Sequence, residues 1–400
     1  MNQQNSRNND NSSPCQYSNS SVDFQHWSAR NERQNLLESN TARLLLLYVG
    51  GTMGMKYTAD SGYVLEHGLL HKILLTHPYF HDAKSGGTSG DELVLPPSIY
   101  GKRVHYRILE YEELLDSSNM GMQDWRRIAT DISTHYQEYD GFVVVHGTDT
   151  LAYTSSALSF MLEGLGKPVV LTGSQIPFSE GRNDAGDNLL GALTIAGHFN
   201  IPEVCVYFAH KLFRGNRVIK ESAVNLDAFG SPNFKPLASM GVSIDLEWSL
   251  VLNRPMDGAF KLKCRLDPNV GAVRFFPGIT ADVLRAFLAP PIKGVVLESF
   301  GTGNLPNNRP DLLLVLKEAL DRGVVIVNVS QCRRGSVDPG LYATGRPLYA
   351  LGAVPGYDMT VECALTKLSF LLGQYDDPMV VKTLMMESLR GELTHNNKSL

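Results

Sequence analysis

Leu44-Leu45-Leu46-Leu47-Tyr48-Val49-Gly50-Gly51-Thr52 opens the part of the chain that can fold. Its apolar run is short and closes on two glycines. It therefore reads as a buried strand, since a helix would need about ten residues or more. Comparable runs follow at Phe142–Val145, Val169–Leu171, Val204–Phe208, Val295–Leu297 and Val324–Val327, each bounded by polar, Gly or Pro residues. Helical spacing falls between them: Trp125, Ile128 and Ile132; Leu151, Leu158, Met161 and Leu162; Val283, Leu284, Phe287 and Leu288. Asp311 to Arg322 is apolar and ends at Gly323, a residue suited to a helix C-terminus. Strands that lack polar alternation and are separated by helices imply parallel sheets covered on both faces. The expected fold is α/β, a larger N-terminal domain with a mostly parallel sheet followed by a smaller C-terminal α/β domain.

The flanks set the expected boundaries. Residues 1–40 are rich in Asn, Ser and Gln and poor in aliphatics, so they read as a disordered polar tail. Turn formers at Gly230, Ser231, Pro232, Asn233 and Pro236 precede a weakly periodic stretch. The expected division is 41–232 for the first domain, 233–267 for a linker and 268–395 for the second.

Composition excludes several function classes. The net charge is −5, with 36 Lys and Arg against 41 Asp and Glu, and no basic concentration suits a nucleic acid or an anionic membrane. The five cysteines are odd in number and widely spaced, which fits free thiols in a reducing compartment. The first residues carry no apolar h-region, and no apolar run reaches the roughly 18 residues of a membrane span. A cytoplasmic protein is expected. The eleven histidines are scattered without HExxH, and neither GxGxxG nor GxxxxGK[ST] follows the first strand. No metal and no cofactor are expected.

Three segments carry possible chemistry. In Tyr48-Val49-Gly50-Gly51-Thr52-Met53-Gly54-Met55 a strand ends at two glycines and a hydroxyl. Ligands of open α/β sheets collect beyond the carboxyl ends of strands, so Thr52 is a candidate nucleophile beside backbone amides. An ordinary strand-to-loop turn is the plainer reading. In His146-Gly147-Thr148-Asp149-Thr150 a second strand ends in a hydroxyl and a carboxylate. These are N-cap residues, or else a site at the same sheet edge whose carboxylate holds an ammonium. In Leu212-Phe213-Arg214-Gly215-Asn216-Arg217-Val218-Ile219-Lys220 the basic residues are ordinarily solvated. The active reading puts Lys220 beside Thr148, where a neutral, buried lysine can take a hydroxyl proton.

Together these segments resemble the cytoplasmic, type I branch of the L-asparaginase family. Leu171-Thr172-Gly173-Ser174-Gln175-Ile176-Pro177, Asn188 to Leu193 and Leu389-Arg390-Gly391-Glu392-Leu393-Thr394 match in the same order. The resemblance covers about 43 to 395. It implies hydrolysis of L-asparagine to L-aspartate and ammonia through an acyl-threonine. Thr52 matches the nucleophile, and Tyr63 the mobile-loop tyrosine that helps activate it. Asp116, Ser117 and Ser118 match the loop that grips the substrate α-carboxylate. Thr148, Asp149 and Lys220 match the second threonine and its partners, with Asp149 also binding the substrate ammonium. Asn304 and Tyr342 match positions near a subunit interface, since the family works as a homodimer or a dimer of dimers. Glu298 stands where bacterial relatives have an arginine of an allosteric asparagine site, alongside Ser330 and Cys332. An acidic residue cannot clamp a carboxylate, so weak or absent cooperativity is expected. The amidohydrolase subunit of a tRNA-dependent amidotransferase shares this fold but carries an extra folded domain at its amino end. Here about 40 polar residues stand in that place. A non-catalytic amino-acid sensor would bind asparagine or aspartate without turnover.

Overall fold

The computed structural model describes residues 40–85, 92–253, 259–339 and 344–394. The polar tail through residue 39 and Tyr342 lie outside them. From Thr41 onward the chain clusters as one unit.

Its strands are β1 (Thr41–Gly50), the hairpin β2 (Met55–Thr58) and β3 (Gly62–Leu65), β4 (Glu92–Val94), β5 (Arg103–Leu115), β6 (Gly141–Val145), β7 (Leu162–Glu163) and β8 (Val169–Thr172). They continue with β9 (Val204–Phe208), β10 (Lys211–Arg214), β11 (Ile219–Lys220), β12 (Phe229–Gly230), β13 (Ala238–Met240), β14 (Ile244–Leu246) and β15 (Lys261–Leu262). The second lobe adds β16 (Val270–Arg274), β17 (Gly294–Ser299), β18 (Val325–Ser330) and β19 (Val354–Pro355).

The large sheet runs β14-β13-β10-β9-β8-β6-β1-β5-β4 and the small one β16-β17-β18-β19. In the large sheet β9, β8, β6, β1 and β5 are mutually parallel, and antiparallel strands finish both edges. The small sheet is parallel throughout. Every residue of β6, β8 and β9 is buried, which is why these strands show no alternation in sequence.

Helices α1 (Leu69–Thr76), α2 (Met122–Thr134), α3 (Leu151–Met161) and α4 (Ala185–His198) flank the large sheet. Helices α5 (Ala281–Phe287), α6 (Pro310–Asp321), α7 (Arg346–Ala350), α8 (Val361–Gln374) and α9 (Pro378–Met386) belong to the second lobe. Trp125, Ile128 and Ile132 are buried on α2 as their spacing predicts. Of the face assigned on α5, Leu284 is buried, whereas Val283 is 56% exposed. A seven-residue helix has room for only one inward stripe.

One apolar core passes between the lobes, joining Leu158 and Phe160 of α3 to Leu368 and Phe370 of α8. The two helices also share a buried hydrogen bond, Ser156 Oγ to Thr366 Oγ1 at 2.7 Å.

Two regions differ from the sequence-based expectation. Arg103–Leu115 is a strand of 13 residues that no apolar run announces. It lies beside β1, and Arg107, Glu112 and Glu113 are exposed while only Val104, Tyr106 and Tyr111 are buried, so no continuous apolar run forms. The stretch 233–267 carries β13 and β14, which extend the large sheet, and β15, which pairs with β7. Short edge strands need few apolar residues, so their sequence resembles a connection.

Candidate active site

The site is assembled where four parallel strands end. β8, β6, β1 and β5 are neighbours, and each is followed by a segment singled out in the sequence. Gly51 has φ +89°, and a side chain there would lie 2.3 Å from the Gly147 nitrogen. Gly147 in turn faces Ser117, whose Oγ would be 2.5 Å from an added Cβ. Only bare backbone permits this approach. It brings the chain segments that carry Thr52, Thr148 and Ser117 into backbone contact. The Gly51 N–H donates to the Leu115 carbonyl at 3.0 Å, tying the first turn to the last residue of β5.

Thr52 begins a 3-10 turn and is half-buried. Asp116 caps the next turn: its Oδ1 accepts from the Ser118 N–H at 2.9 Å and from the Ser118 hydroxyl at 2.8 Å. Ser117 is buried, and its carbonyl accepts from the Thr150 hydroxyl at 2.8 Å. Thr150, not Thr148 or Asp149, occupies the N-cap of α3, and no side chain caps that helix. The capping reading of Thr148 and Asp149 therefore falls away.

Lys220 meets both of them. Its Nζ donates to Thr148 Oγ1 at 2.8 Å and to Asp149 Oδ1 at 2.6 Å. Thr148 is 6% exposed, while the Asp149 side chain is 61% exposed and that of Lys220 20%. The cluster is thus closed beneath and open above.

The basic residues that lead to Lys220 are not solvated. Arg214 is fully enclosed and pairs with Glu203 at 2.5 Å. Arg217 pairs with Asp358 at 2.8 Å and donates to the Gly391 carbonyl at 2.8 Å. These bonds anchor the loop before β11 to the C-terminal segment.

His146, at the base of the cluster, is wholly buried. Its Nδ1 lies 2.7 Å from the Gly147 carbonyl and its Nε2 2.9 Å from Thr154 Oγ1. A carbonyl can only accept, so Nδ1 carries the proton and Nε2 accepts from Thr154. Burial lowers its pKa to about 4, so the imidazole is neutral in the folded chain.

Tyr63 stands on the β2–β3 hairpin and is 47% exposed. Its hydroxyl donates to Glu180 Oε1 at 2.9 Å, and that hydrogen bond raises its pKa. The loop carrying Glu180 is stitched to the start of the hairpin through the Phe178 N–H to the Met53 carbonyl, 3.1 Å, and the Ser179 hydroxyl to the Met55 carbonyl, 2.9 Å. Asn304 lies in a turn of the second lobe, where its Oδ1 accepts from Thr344 at 2.7 Å. Its hydrogen bonds stay within that lobe.

A cavity of about 390 Å³ extends from Lys220 towards the second lobe, lined among others by Arg274, Glu298, Cys332 and Glu362. Glu298 is 3.5 Å from Arg274, and burial raises the pKa of Glu362. Among the described residues no three His, Cys, Asp or Glu side chains converge as metal ligands, and no helix is long and apolar enough to cross a membrane.

Sequence reasoning did not find Gln175, Glu180 or His146 as parts of this site. Gln175 lay inside a quoted motif, yet an uncharged amide carries no chemical signal of its own.

The chain matches two family models, "Asparaginase, N-terminal" over residues 43–252 and "Glutaminase/Asparaginase C-terminal domain" over 269–385. It is 46% identical to a Dirofilaria immitis protein named L-asparaginase, over 90% of this chain and 62% of that one. It is 47% identical to a Homo sapiens protein named 60 kDa lysophospholipase, over 88% and 61%. The chain thus spans about three fifths of the length of these two relatives. Escherichia coli K12 L-asparaginase 1 is 45% identical over 88% of this chain and 98% of its own. The crystal structure of L-asparaginase I from Vibrio cholerae superposes with a TM-score of 0.79 at 42% identity, covering 89% of this chain and all of that one. With both lobes matched in order and strands, turns and lysine cluster in one fold, the chain belongs to the asparaginase family.

Proposed function

We propose that this chain hydrolyses L-asparagine to L-aspartate and ammonia, with Thr52 as nucleophile. The observation that carries the reading is the Lys220–Thr148–Asp149 cluster, one residue from the Gly147 backbone that lies against Gly51.

Thr52 Oγ adds to the side-chain amide carbon, and backbone N–H groups of the glycine turns receive the developing oxyanion. The C–N bond breaks, the nitrogen takes the threonine proton, and ammonia leaves. A water then adds to the acyl-threonine ester. Thr52 regains a proton as aspartate departs. Lys220 stabilises charge on the Thr148 side of the site, through the hydrogen bond it donates. Asp149 offers its carboxylate to the substrate ammonium. The Asp116–Ser117–Ser118 turn receives the α-carboxylate, and Tyr63 closes over the substrate from the hairpin. Asn304 and Tyr342 act at the contact with a second copy of the chain. Among the described residues Cys205, Cys332 and Cys363 are free thiols, which supports a reducing, cytosolic setting.

The test is ammonia release by the purified chain from asparagine and from glutamine over a concentration series. Asparagine is the expected substrate. A single methylene discriminates by only about 1–3 kcal/mol, so measurable glutamine turnover is compatible with the reading. No release from asparagine defeats it. Release of fatty acid from lysophosphatidylcholine, with no ammonia from asparagine, would replace it with the activity named for the human relative.

A further inference from the structure

Gln175 follows β8 in the Thr172-Gly173-Ser174-Gln175-Ile176-Pro177 segment, and the proposed chemistry leaves it without a task. Its backbone is held firmly. The Gln175 N–H donates to both carboxylate oxygens of Asp184, at 3.1 and 3.0 Å, and the Ile176 N–H to Asp184 Oδ1 at 2.9 Å. Asp184 is buried, and Asn188 braces it at 3.1 Å.

The side-chain amide points two ways. Its Nε2 donates to the Asn225 carbonyl at 3.2 Å and faces the Ser222 carbonyl at 3.5 Å. Carbonyls only accept, so the NH₂ end must lie there and Oε1 must face Thr148. Thr148 Oγ1 is 3.2 Å from Oε1 and therefore donates its one proton to Gln175. Towards Lys220 it can then only accept, which is the direction the 2.8 Å ammonium contact requires. The other end of the amide holds the turn that begins immediately after Lys220, where the Glu221 and Ser222 N–H groups both donate to the Ala228 carbonyl.

We propose that Gln175 is a positioning residue for the amide hydrolysis: it fixes the direction of the Thr148 hydroxyl and ties Thr148 to the turn that carries Lys220. This rests on the function proposed above. Gln175 touches neither the Asp116–Ser118 turn nor Thr52 by any hydrogen bond among the described residues. Its loss should therefore misalign the reacting groups without weakening substrate capture.

The experiment compares wild type, Gln175→Leu and Gln175→Glu in steady-state asparagine hydrolysis. In Gln175→Leu, kcat is expected to fall by about 10- to 100-fold, the scale of a small misplacement of a catalytic group, with KM within about threefold. Gln175→Glu separates positioning from mere packing. A protonated carboxyl reproduces both bonds, its carbonyl accepting from Thr148 and its O–H donating to Asn225. A carboxylate has no donor for the Asn225 and Ser222 carbonyls. The charged groups joined to this unit are Lys220 and Asp149 beyond Thr148 and Asp184 beneath the backbone. The wild-type to Gln175→Glu ratio of kcat is expected to shrink at least fivefold as pH falls from about 8 to about 5, as the introduced carboxyl gains its proton. A Leu variant with kcat within twofold of wild type, a loss confined to KM, or a ratio flat in pH overturns the proposal. A wild type that releases no ammonia defeats the proposed function and this inference together. An active wild type with an equally active Leu variant defeats this inference alone.

Discussion

Two lysines in this molecule pair with carboxylates at the same distance and do opposite work. Lys367 and Glu392 are 2.6 Å apart, and both side chains are fully buried. Lys367 Nζ also donates to the Met385 and Glu387 carbonyls, so all three of its protons are taken. Glu392 accepts in addition from the Leu389 and Arg390 N–H groups. Burial alone would raise the Glu392 pKa; Lys367 and those two amides outweigh it and hold the carboxyl below its usual range. That saturated pair locks the C-terminal segment onto α8. Lys220 and Asp149 are also 2.6 Å apart, but Lys220 meets two acceptors and its partner faces solvent. Paired charges with every valence filled are structure. Paired charges with a proton and an oxygen still on offer, beside an open space, are what the proposed hydrolysis requires.

Removing each lysine should break the two regions in different ways. Lys220→Met is expected to lower turnover by about 10³-fold or more, as is Thr52→Ala, with melting temperature nearly unchanged. Steady-state kinetics beside a thermal melt checks this, and near-normal hydrolysis by either variant removes that residue from the mechanism.

Lys367→Met should do the reverse. It strands Glu392 in the core and is expected to destabilise the fold by about 3–5 kcal/mol, read from urea unfolding. A variant that loses activity but keeps its stability would erase the contrast.

Acid sharpens the comparison further. His146 has a folded pKa of about 4 against a reference of 6.5. Between those values the unfolded chain takes up a proton that the folded chain refuses. Stability is therefore fully present above pH 6.5, declines as pH falls, and stops declining below about 4, a loss of roughly 3 kcal/mol. Glu392 has its folded pKa lowered from 4.5, so its contribution is lost only below that value. Unfolding free energy against pH should show the histidine decline first, and His146→Gln should flatten it.

The smallest effect concerns Glu298, paired with Arg274 at 3.5 Å in the cavity beside Lys220. Rate against asparagine concentration is expected to be hyperbolic, and Glu298→Ala should leave it so. A sigmoidal curve abolished by Glu298→Ala would contradict this.

By itself the sequence determined the strand-and-helix order. Fully buried strands such as Phe142–Val145 and Val204–Phe208 are apolar throughout, and that pattern survives without any knowledge of neighbours. Thr52, Thr148 and Lys220 are singled out as candidates by their motifs, and it is the resemblance of the collinear set, not any one motif, that gives them roles. Only the tertiary structure decided the rest. Thr148 and Lys220 are 72 positions apart, and whether a lysine is solvated or bonded depends on what folds against it. The same holds for Arg217, whose partner Asp358 is 141 positions away. The direction of the Thr148 hydroxyl and the protonated nitrogen of His146 follow from hydrogen bonds that no residue type announces. β5 escaped notice because only Val104, Tyr106 and Tyr111 of its 13 residues are buried and charged residues interrupt every apolar run. Periodicity records burial along one element, whereas the direction of a proton between three segments exists only after they have met.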